Sequence, residues 1–112
     1  MGATVKKKRR VLRVWPSWPI MAEVEFSWLL RDDFQETTEK VFRACGALGE
    51  KKTAVDLGAG SGPLDGSRPA RRDVQVGFRN EKHALRCVER VKKLGIKGLR
   101  GYITRYERER VL

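Results

Sequence analysis

Two segments of the chain show the hydrophobic pattern of a strand followed directly by that of a helix. Apolar and polar residues alternate over 22–30 and again over 73–78, which is the period of a strand with one buried face. Apolar residues recur at helical spacing over 34–48 and 81–94, and a further strand pattern, 99–106, follows the second helix. The chain therefore contains two strand–helix halves, and we expect them to share one apolar core.

The ends of both predicted helices carry residues that are typical of helix termini. Asn80 is a suitable N-cap for the second helix, and Gly95 stands where a left-handed glycine commonly follows the last turn. Asp33 and Glu36 have the spacing of a capping box at the start of the first helix, which we expect Gly49 to end. These residues fix the expected limits of the two helices.

The remaining segments complete one small domain. Residues 53–57 are a short strand candidate, and 58–70, with four glycines and two prolines, is predicted to be a long Gly-rich loop. The order βαββαβ predicts an α+β fold, the ferredoxin-like sandwich, with a four-stranded antiparallel sheet and two helices on one face. Residues 11–15 are a candidate for an additional N-terminal edge strand. We expect 11–112 to form a single domain, preceded by a disordered basic arm over 1–10.

The net charge favours an anionic partner. The 112 residues contain 25 Lys and Arg against 14 Asp and Glu, a formal charge of +11. Residues 1–20 carry six bases and no acid, and residues 61–112 carry fourteen bases and six acids. This excess favours nucleic acid, an acidic protein or an acidic lipid as the partner; a basic protein without such a partner is the alternative.

The two cysteines, Cys45 and Cys87, lie on the apolar stripes of the two predicted helices. Two cysteines do not make a disulfide framework, and we expect small buried hydrophobic residues rather than a redox or metal-binding pair. The sequence has no secretory signal pattern and no apolar run near the roughly 20 residues that a membrane-spanning helix needs. These features predict a cytoplasmic protein with no membrane association.

Residues 55–62, Val-Asp-Leu-Gly-Ala-Gly-Ser-Gly, resemble the first motif of S-adenosylmethionine-dependent methyltransferases. That resemblance implies a helix directly after the glycines, which Pro63 and Pro69 prevent. No Walker lysine follows the glycines, and His83 is the only histidine, so neither a P-loop nor a His-centred metal site is predicted. We therefore expect no enzyme activity, no catalytic residue, no metal and no cofactor.

Basic and aromatic residues are predicted to share the sheet face that the helices leave open. Arg100, Tyr102 and Tyr106 alternate onto this face from the last strand, and Arg79 extends it from the preceding one. Basic side chains beside aromatic rings on an open four-stranded sheet resemble RNA-recognition surfaces, where phosphates meet Arg or Lys and bases stack on rings. The predicted nucleic-acid contacts are Lys7, Lys8, Arg9, Arg10, Arg71, Arg72, Arg79, Arg100, Tyr102 and Tyr106.

The acidic residues on the same face limit where nucleic acid is expected to bind. Glu23 and Glu25 fall on the first strand of the repeated pattern and would repel a phosphate backbone that crosses the middle of the sheet. We therefore expect contact at the edge of the last strand, the Gly-rich loop and the basic arm. The leading hypothesis is a binding module for RNA or single-stranded nucleic acid, favoured over duplex DNA, and a candidate ribonucleoprotein component. Its layout is similar to a small α/β protein subunit of archaeal ribonuclease P.

Two other functions remain open from the sequence. The first is a protein-interaction or regulatory module, for example of phage type, that docks an acidic partner through a strand edge or through Trp15 and Trp18. Covering the core is the favoured role for these two tryptophans. The second is a glycan binder: residues 74–80, with Ala84 and Gly95 at matching distances, resemble the first half of SPOR domains, which implies binding to septal peptidoglycan.

Overall fold

A computed structural model describes residues 12–14, 18–47, 53–63, 65–105 and 107–112. Within these ranges the chain forms seven strands and two helices. In chain order they are β1 (Arg13–Val14), β2 (Pro19–Ile20), β3 (Ala22–Leu29), α1 (Phe34–Cys45), β4 (Ala54–Gly62), β5 (Arg71–Phe78), α2 (Glu81–Lys92), β6 (Arg100–Thr104) and β7 (Arg108–Arg110). The predicted mixture of two helices with strands is therefore confirmed.

Five of the strands form one antiparallel sheet in the order β4-β5-β3-β6-β7. The strand β3 lies at its centre because it pairs with β5 on one side and β6 on the other. The predicted count of four strands is wrong, since β7 turns back along β6 through residue pairs such as Tyr102 with Arg110.

The core lies between the sheet and the two helices. Side chains alternate strictly along β3, and its four buried positions, Ala22, Val24, Phe26 and Trp28, belong to the same cluster as buried residues of both helices. The register places Val24 between Val76 of β5 and Ile103 of β6, all fully buried. Burying one such side chain is worth about 1.5–3 kcal/mol, so this row stabilises the pairing of the three central strands. The two halves share one apolar core, as predicted.

The predicted start of the second helix is confirmed, and its end lies two residues before the predicted 94. The Asn80 Oδ1 atom accepts a hydrogen bond from the His83 backbone N–H at 3.1 Å, which satisfies one of the free amides of the first turn. The helix ends at Lys92, and Gly95 follows with φ +67°. The chain leaves the helix there through a left-handed conformation that suits glycine.

The first helix begins and ends differently from the prediction. Asp33 occupies the N-cap position, but its φ of −91° and ψ of 19° are not the extended conformation of a capping residue, and its side chain makes no cap hydrogen bond. The capping box with Glu36 is therefore wrong. The helix ends at Gly46, whose φ of +74° gives the left-handed cap, three residues before Gly49, which lies outside the described residues.

The Gly-rich loop is shorter than predicted because its first half is a strand. Residues 58–62 belong to β4, which pairs with β5 along its whole length apart from a bulge between Asp56 and Gly58. At the bulge the Gly58 backbone N–H donates to Asp56 Oδ1 at 2.7 Å. Ladder hydrogen bonds use only the backbone, so a neighbouring strand can pair with glycines that have no side chains to pack. Within the described residues the loop is confined to 63 and 65–70.

The N-terminal segment covers part of the sheet instead of extending it. Strands β1 and β2 pair with each other in a separate two-stranded sheet, which we call the N-terminal hairpin, so the candidate edge strand over 11–15 is wrong. An ideal Cβ on Gly77 would lie 2.9 Å from Ile20 Cδ1, and Gly77 faces away from the helices because Val76 and Phe78 face them. Ile20 and Trp18 are both buried, so the hairpin packs on the face opposite the helices. Trp18 is buried, in agreement with a covering role rather than an exposed one, and Trp15 lies outside the described residues.

The two cysteines are joined by a disulfide bond between α1 and α2, with their Cα atoms 4.7 Å apart. Both are buried, as predicted, but the expectation of two unpaired thiols is wrong. The spacing of each cysteine on its own helix gave no information about the rotation of one helix against the other. Neither described helix has the length or the apolar composition needed to cross a lipid bilayer.

Candidate nucleic-acid interface

The half of the sheet that the N-terminal hairpin leaves uncovered forms a concave depression with a volume of about 600 Å³. It lies opposite the helices, on the side chains of β3, β5 and β6 that alternate away from the core. We call this surface the open-face basin. Its charged and aromatic residues are Glu25, Arg68, Arg71, Asp73, Arg100, Tyr102 and Arg108.

The strand register brings the basin residues side by side. Ser27 of β3 lies directly opposite Arg100 of β6 and opposite Asp73 of β5, and Glu25 lies opposite Tyr102. Directly opposite residues on one face have Cβ atoms roughly 5 Å apart. The predicted pair Arg100 and Tyr102 therefore does share the open face, next to β3.

Arg71 is held in the basin by several hydrogen bonds. Its Nε donates to Ser27 Oγ at 3.1 Å, and its Nη2 donates to the Ser27 carbonyl at 3.2 Å and to the Gly98 carbonyl. Burial lowers the pKa of Arg71, and the nearby positive charge of Arg100 lowers it further, whereas Tyr102 acts in the opposite direction. The two guanidinium groups thus repel each other, and an anion bound between them would relieve the repulsion.

Arg108 links the tail of the chain to the middle of the basin. Its Cζ lies 4.0 Å from the centroid of the Tyr102 ring, and its Nη2 donates to Glu25 Oε1 at 3.0 Å. The carboxylate that was expected to repel phosphates is therefore already paired with a guanidinium group. Because the Arg108 side chain is 56% exposed, it can be displaced from the ring by a base or stack with one itself.

Two of the predicted contact residues lie away from the basin. Arg72 faces the helices: its Nε donates to Thr38 Oγ1 at 3.2 Å, and its Cζ lies 5.2 Å from the centroid of the Phe34 ring. Its neighbour Arg71 takes the open face, since successive side chains of a strand point to opposite faces. Arg79 is exposed and follows the last residue of β5. Arg71 begins that strand, eight residues earlier, and eight residues of extended chain span about 26 Å. Lys7, Lys8, Arg9, Arg10 and Tyr106 lie outside the described residues.

The predicted contact residues left out two arginines of the basin. Arg68 is exposed in the shortened loop and lines the basin beside Pro69. Arg108 reaches the basin only because β7 folds back along β6. The alternation of Arg108 and Arg110 was the one available signal, since residues two apart in a strand share a face.

The basin offers positive charge and an aromatic ring to a ligand. Within the described ranges, no group of three or more His, Cys, Asp or Glu side chains could hold a metal ion. The sequence matches no protein-family model and no curated protein. The function is therefore argued from the geometry and charge of the described residues.

Proposed function

We propose that the protein is a small nucleic-acid-binding module that holds single-stranded RNA, in preference to duplex DNA, in the open-face basin. Guanidinium groups would contact phosphates, and Tyr102, with or without Arg108, would stack on a base. The strand order β6-β3-β5-β4 and the two helices support a ferredoxin-like sandwich, to which the hairpin and β7 are additions. An open sheet face of that kind is used for single strands, whose bases are free to stack.

The excess of arginine in the basin is the observation that carries this proposal. Four arginine side chains line it against two carboxylates, and one of those carboxylates, Glu25, is already paired with Arg108. Arg71 and Arg100 lie close enough to lower the pKa of Arg71. A ligand with several regularly spaced negative charges would compensate these cations, and a phosphodiester backbone has that form.

The test is a salt titration of RNA affinity with matched charge variants. Arg68→Gln with Arg100→Gln removes two exposed cations from the basin, whereas Lys82→Gln with Lys92→Gln removes two exposed cations from α2. Fluorescence anisotropy with a short single-stranded RNA gives the slope of log affinity against log salt. Two lost phosphate contacts would make that slope shallower by about 1.4 and lower the affinity by roughly tenfold or more.

The control variant separates contact from general attraction. The α2 pair lies on the opposite side of the sheet, so its slope should stay close to that of the natural chain. Equal loss in both variants would mean that only net charge matters, and no binding of the natural chain at low salt would remove the proposal. A duplex DNA of the same length should bind more weakly than the single strand, because stacking on Tyr102 needs an unpaired base.

A protein-interaction function is supported by a separate observation. Strand β4 is nine residues long and, among the described strands, pairs only with β5, so its other backbone edge offers a place for an added strand. A pull-down from the native host, treated with nuclease, distinguishes the two functions. A partner that survives nuclease treatment would favour docking at β4, whereas loss of all captured material would favour the basin.

A further inference from the structure

A second cavity lies between the helices, on the side of the sheet away from the open-face basin, with a volume of about 490 Å³. Arg43 of α1 and three residues of α2, His83, Arg86 and Arg90, supply its charged or titratable side chains, and Thr53 adds a hydroxyl group. We call this cavity the interhelix pocket. Its volume is in the range of pockets that hold small organic ligands.

Helical spacing and the disulfide bond together build this pocket. The three α2 residues are separated by three and four positions, which puts them on one face of the helix. Cys87 lies on the same face and is bonded to Cys45, two residues after Arg43. The disulfide bond therefore holds the α2 residues of the pocket next to the C-terminal end of α1, which carries Arg43.

The positive charges of the pocket are not compensated within the described part of the chain. Its lining contains no carboxylate, and the side chains of Arg43, Arg86 and Arg90 make no hydrogen bond or ion pair within the described residues. Other arginines of the protein are partnered: Arg105, for example, contacts both Glu81 and Glu109. Three cations without a counter-charge around one cavity repel each other, and bound negative charge would remove the repulsion.

A buried polar atom in the same pocket also lacks a partner. The Nδ1 atom of His83 is buried and makes no hydrogen bond. Buried side-chain nitrogen atoms of this kind are normally hydrogen-bonded, to protein, water or a ligand. A group that brings both negative charge and hydrogen-bonding oxygens would satisfy the guanidinium groups and the imidazole together.

We propose that the interhelix pocket binds the phosphate group of a small phosphomonoester. A monoester phosphate carries close to two negative charges and three strong acceptor oxygens, which matches several converging donors. Guanidinium groups bind such oxygens in bidentate fashion. A phosphodiester carries only one charge, so it would compensate the three exposed arginines less well. The apolar walls, Ala44 and Phe78, suit the organic part of the ligand.

The test is a titration of the isotope-labelled full chain, without reductant, followed by backbone amide and imidazole NMR signals. Inorganic phosphate, a nucleoside monophosphate and a sugar phosphate are compared at constant ionic strength. We expect saturable shifts at Gly46, Thr53 and His83 for all three probes. The ester that binds with the higher affinity shows whether the natural ligand is closer to a nucleotide or to a sugar phosphate. Arg86→Gln with Arg90→Gln should weaken binding by about tenfold or more.

Two controls keep the test specific. Lys82→Gln with Lys92→Gln makes the same change in net charge on the same helix and should change the affinity by less than about twofold, because these side chains do not line the pocket. Arg86→Lys keeps the charge but removes the bidentate fork, so it should bind with intermediate affinity. Amide spectra of each variant report whether it is folded.

The absence of saturable shifts, or equal weakening by both double variants, would overturn the proposal. The same variants also separate it from nucleic-acid binding in the basin, since Arg86→Gln with Arg90→Gln should leave RNA affinity close to that of Lys82→Gln with Lys92→Gln. If the α2 arginine variant instead lost RNA affinity and no probe bound, the pocket would belong to a nucleic-acid surface and the phosphomonoester site would be wrong.

Discussion

Breaking the Cys45–Cys87 bond should destabilise the protein strongly. The two cysteines are 42 residues apart, and closing a loop of that length in the unfolded chain lowers its entropy enough to contribute about 4 kcal/mol to stability. For a chain of 112 residues the entropy of unfolding is about 0.24 kcal/mol per degree, so the midpoint of thermal unfolding should fall by about 17 °C.

The measurement compares thermal unfolding by circular dichroism with and without a phosphine reductant. The natural chain should lose about 17 °C in reductant. The double variant Cys45→Ala with Cys87→Ala should start near the reduced value and show no response to reductant. Its two substitutions remove little buried volume, so most of its loss should come from the bond rather than from a cavity.

Free thiols would refute this reasoning. If alkylation and mass measurement of the natively purified chain found both cysteines unbonded, and reductant left the unfolding midpoint unchanged, α1 and α2 would be held by packing alone. The state of the cysteines also bears on the expected cytoplasmic location. That expectation rested partly on unpaired cysteines, which free thiols would support, whereas stable disulfides are typical of oxidising compartments.

Two further substitutions test local features of the fold by urea unfolding. Asn80→Ala should cost about 1 kcal/mol, because the first turn of α2 loses its side-chain cap, and an unchanged midpoint would contradict the capping role. Gly77→Ala should cost about 1–3 kcal/mol, because its new Cβ would lie 2.9 Å from the fully buried Ile20. The same change at Gly62, where no atom lies within 4 Å of an added Cβ, should cause no such loss; equal effects at both sites would contradict the position of the hairpin.

The features that the sequence predicted well depend on local periodicity. The buried positions of β3 follow from alternation alone, and the apolar stripes of α1 and α2 follow from helical spacing. The cap by Asn80 depends only on residues of the first turn of α2. Such features are decided by residues within one or two turns of each other, so one chain segment carries all the information.

The features that were missed are decided by neighbours that are distant in sequence. Residues 58–62 were predicted to be a loop because glycine has a low strand preference. In the structure, each of these residues pairs with a residue of β5. The N-terminal hairpin lies on the sheet because Gly77 leaves room for Ile20. The pairing of β7 with β6 likewise depends on a distant feature, the edge of β6 that β3 leaves unpaired.

The candidate site could be predicted only in part for the same reason. Arg100 and Tyr102 were found because alternation within one strand gives their face. Arg72 was misplaced because β5 begins two residues earlier than expected, at Arg71. Arg72 therefore lies within the strand, where alternation turns it towards Phe34. Arg108 could be assigned only once the position of β7 was known.

An arginine of this chain either contributes to the fold or remains available to a ligand, and the contacts of its side chain decide between these two roles. Within the described residues, Arg72 and Arg105 are bonded to neighbours and so contribute to the fold, whereas Arg86 and Arg90 are not. Unpartnered cations that face a shared cavity lower stability unless a ligand compensates them. A count of +11 cannot separate these two groups, but the contacts can. Binding is therefore expected where arginines outnumber carboxylates, in the open-face basin and between the helices.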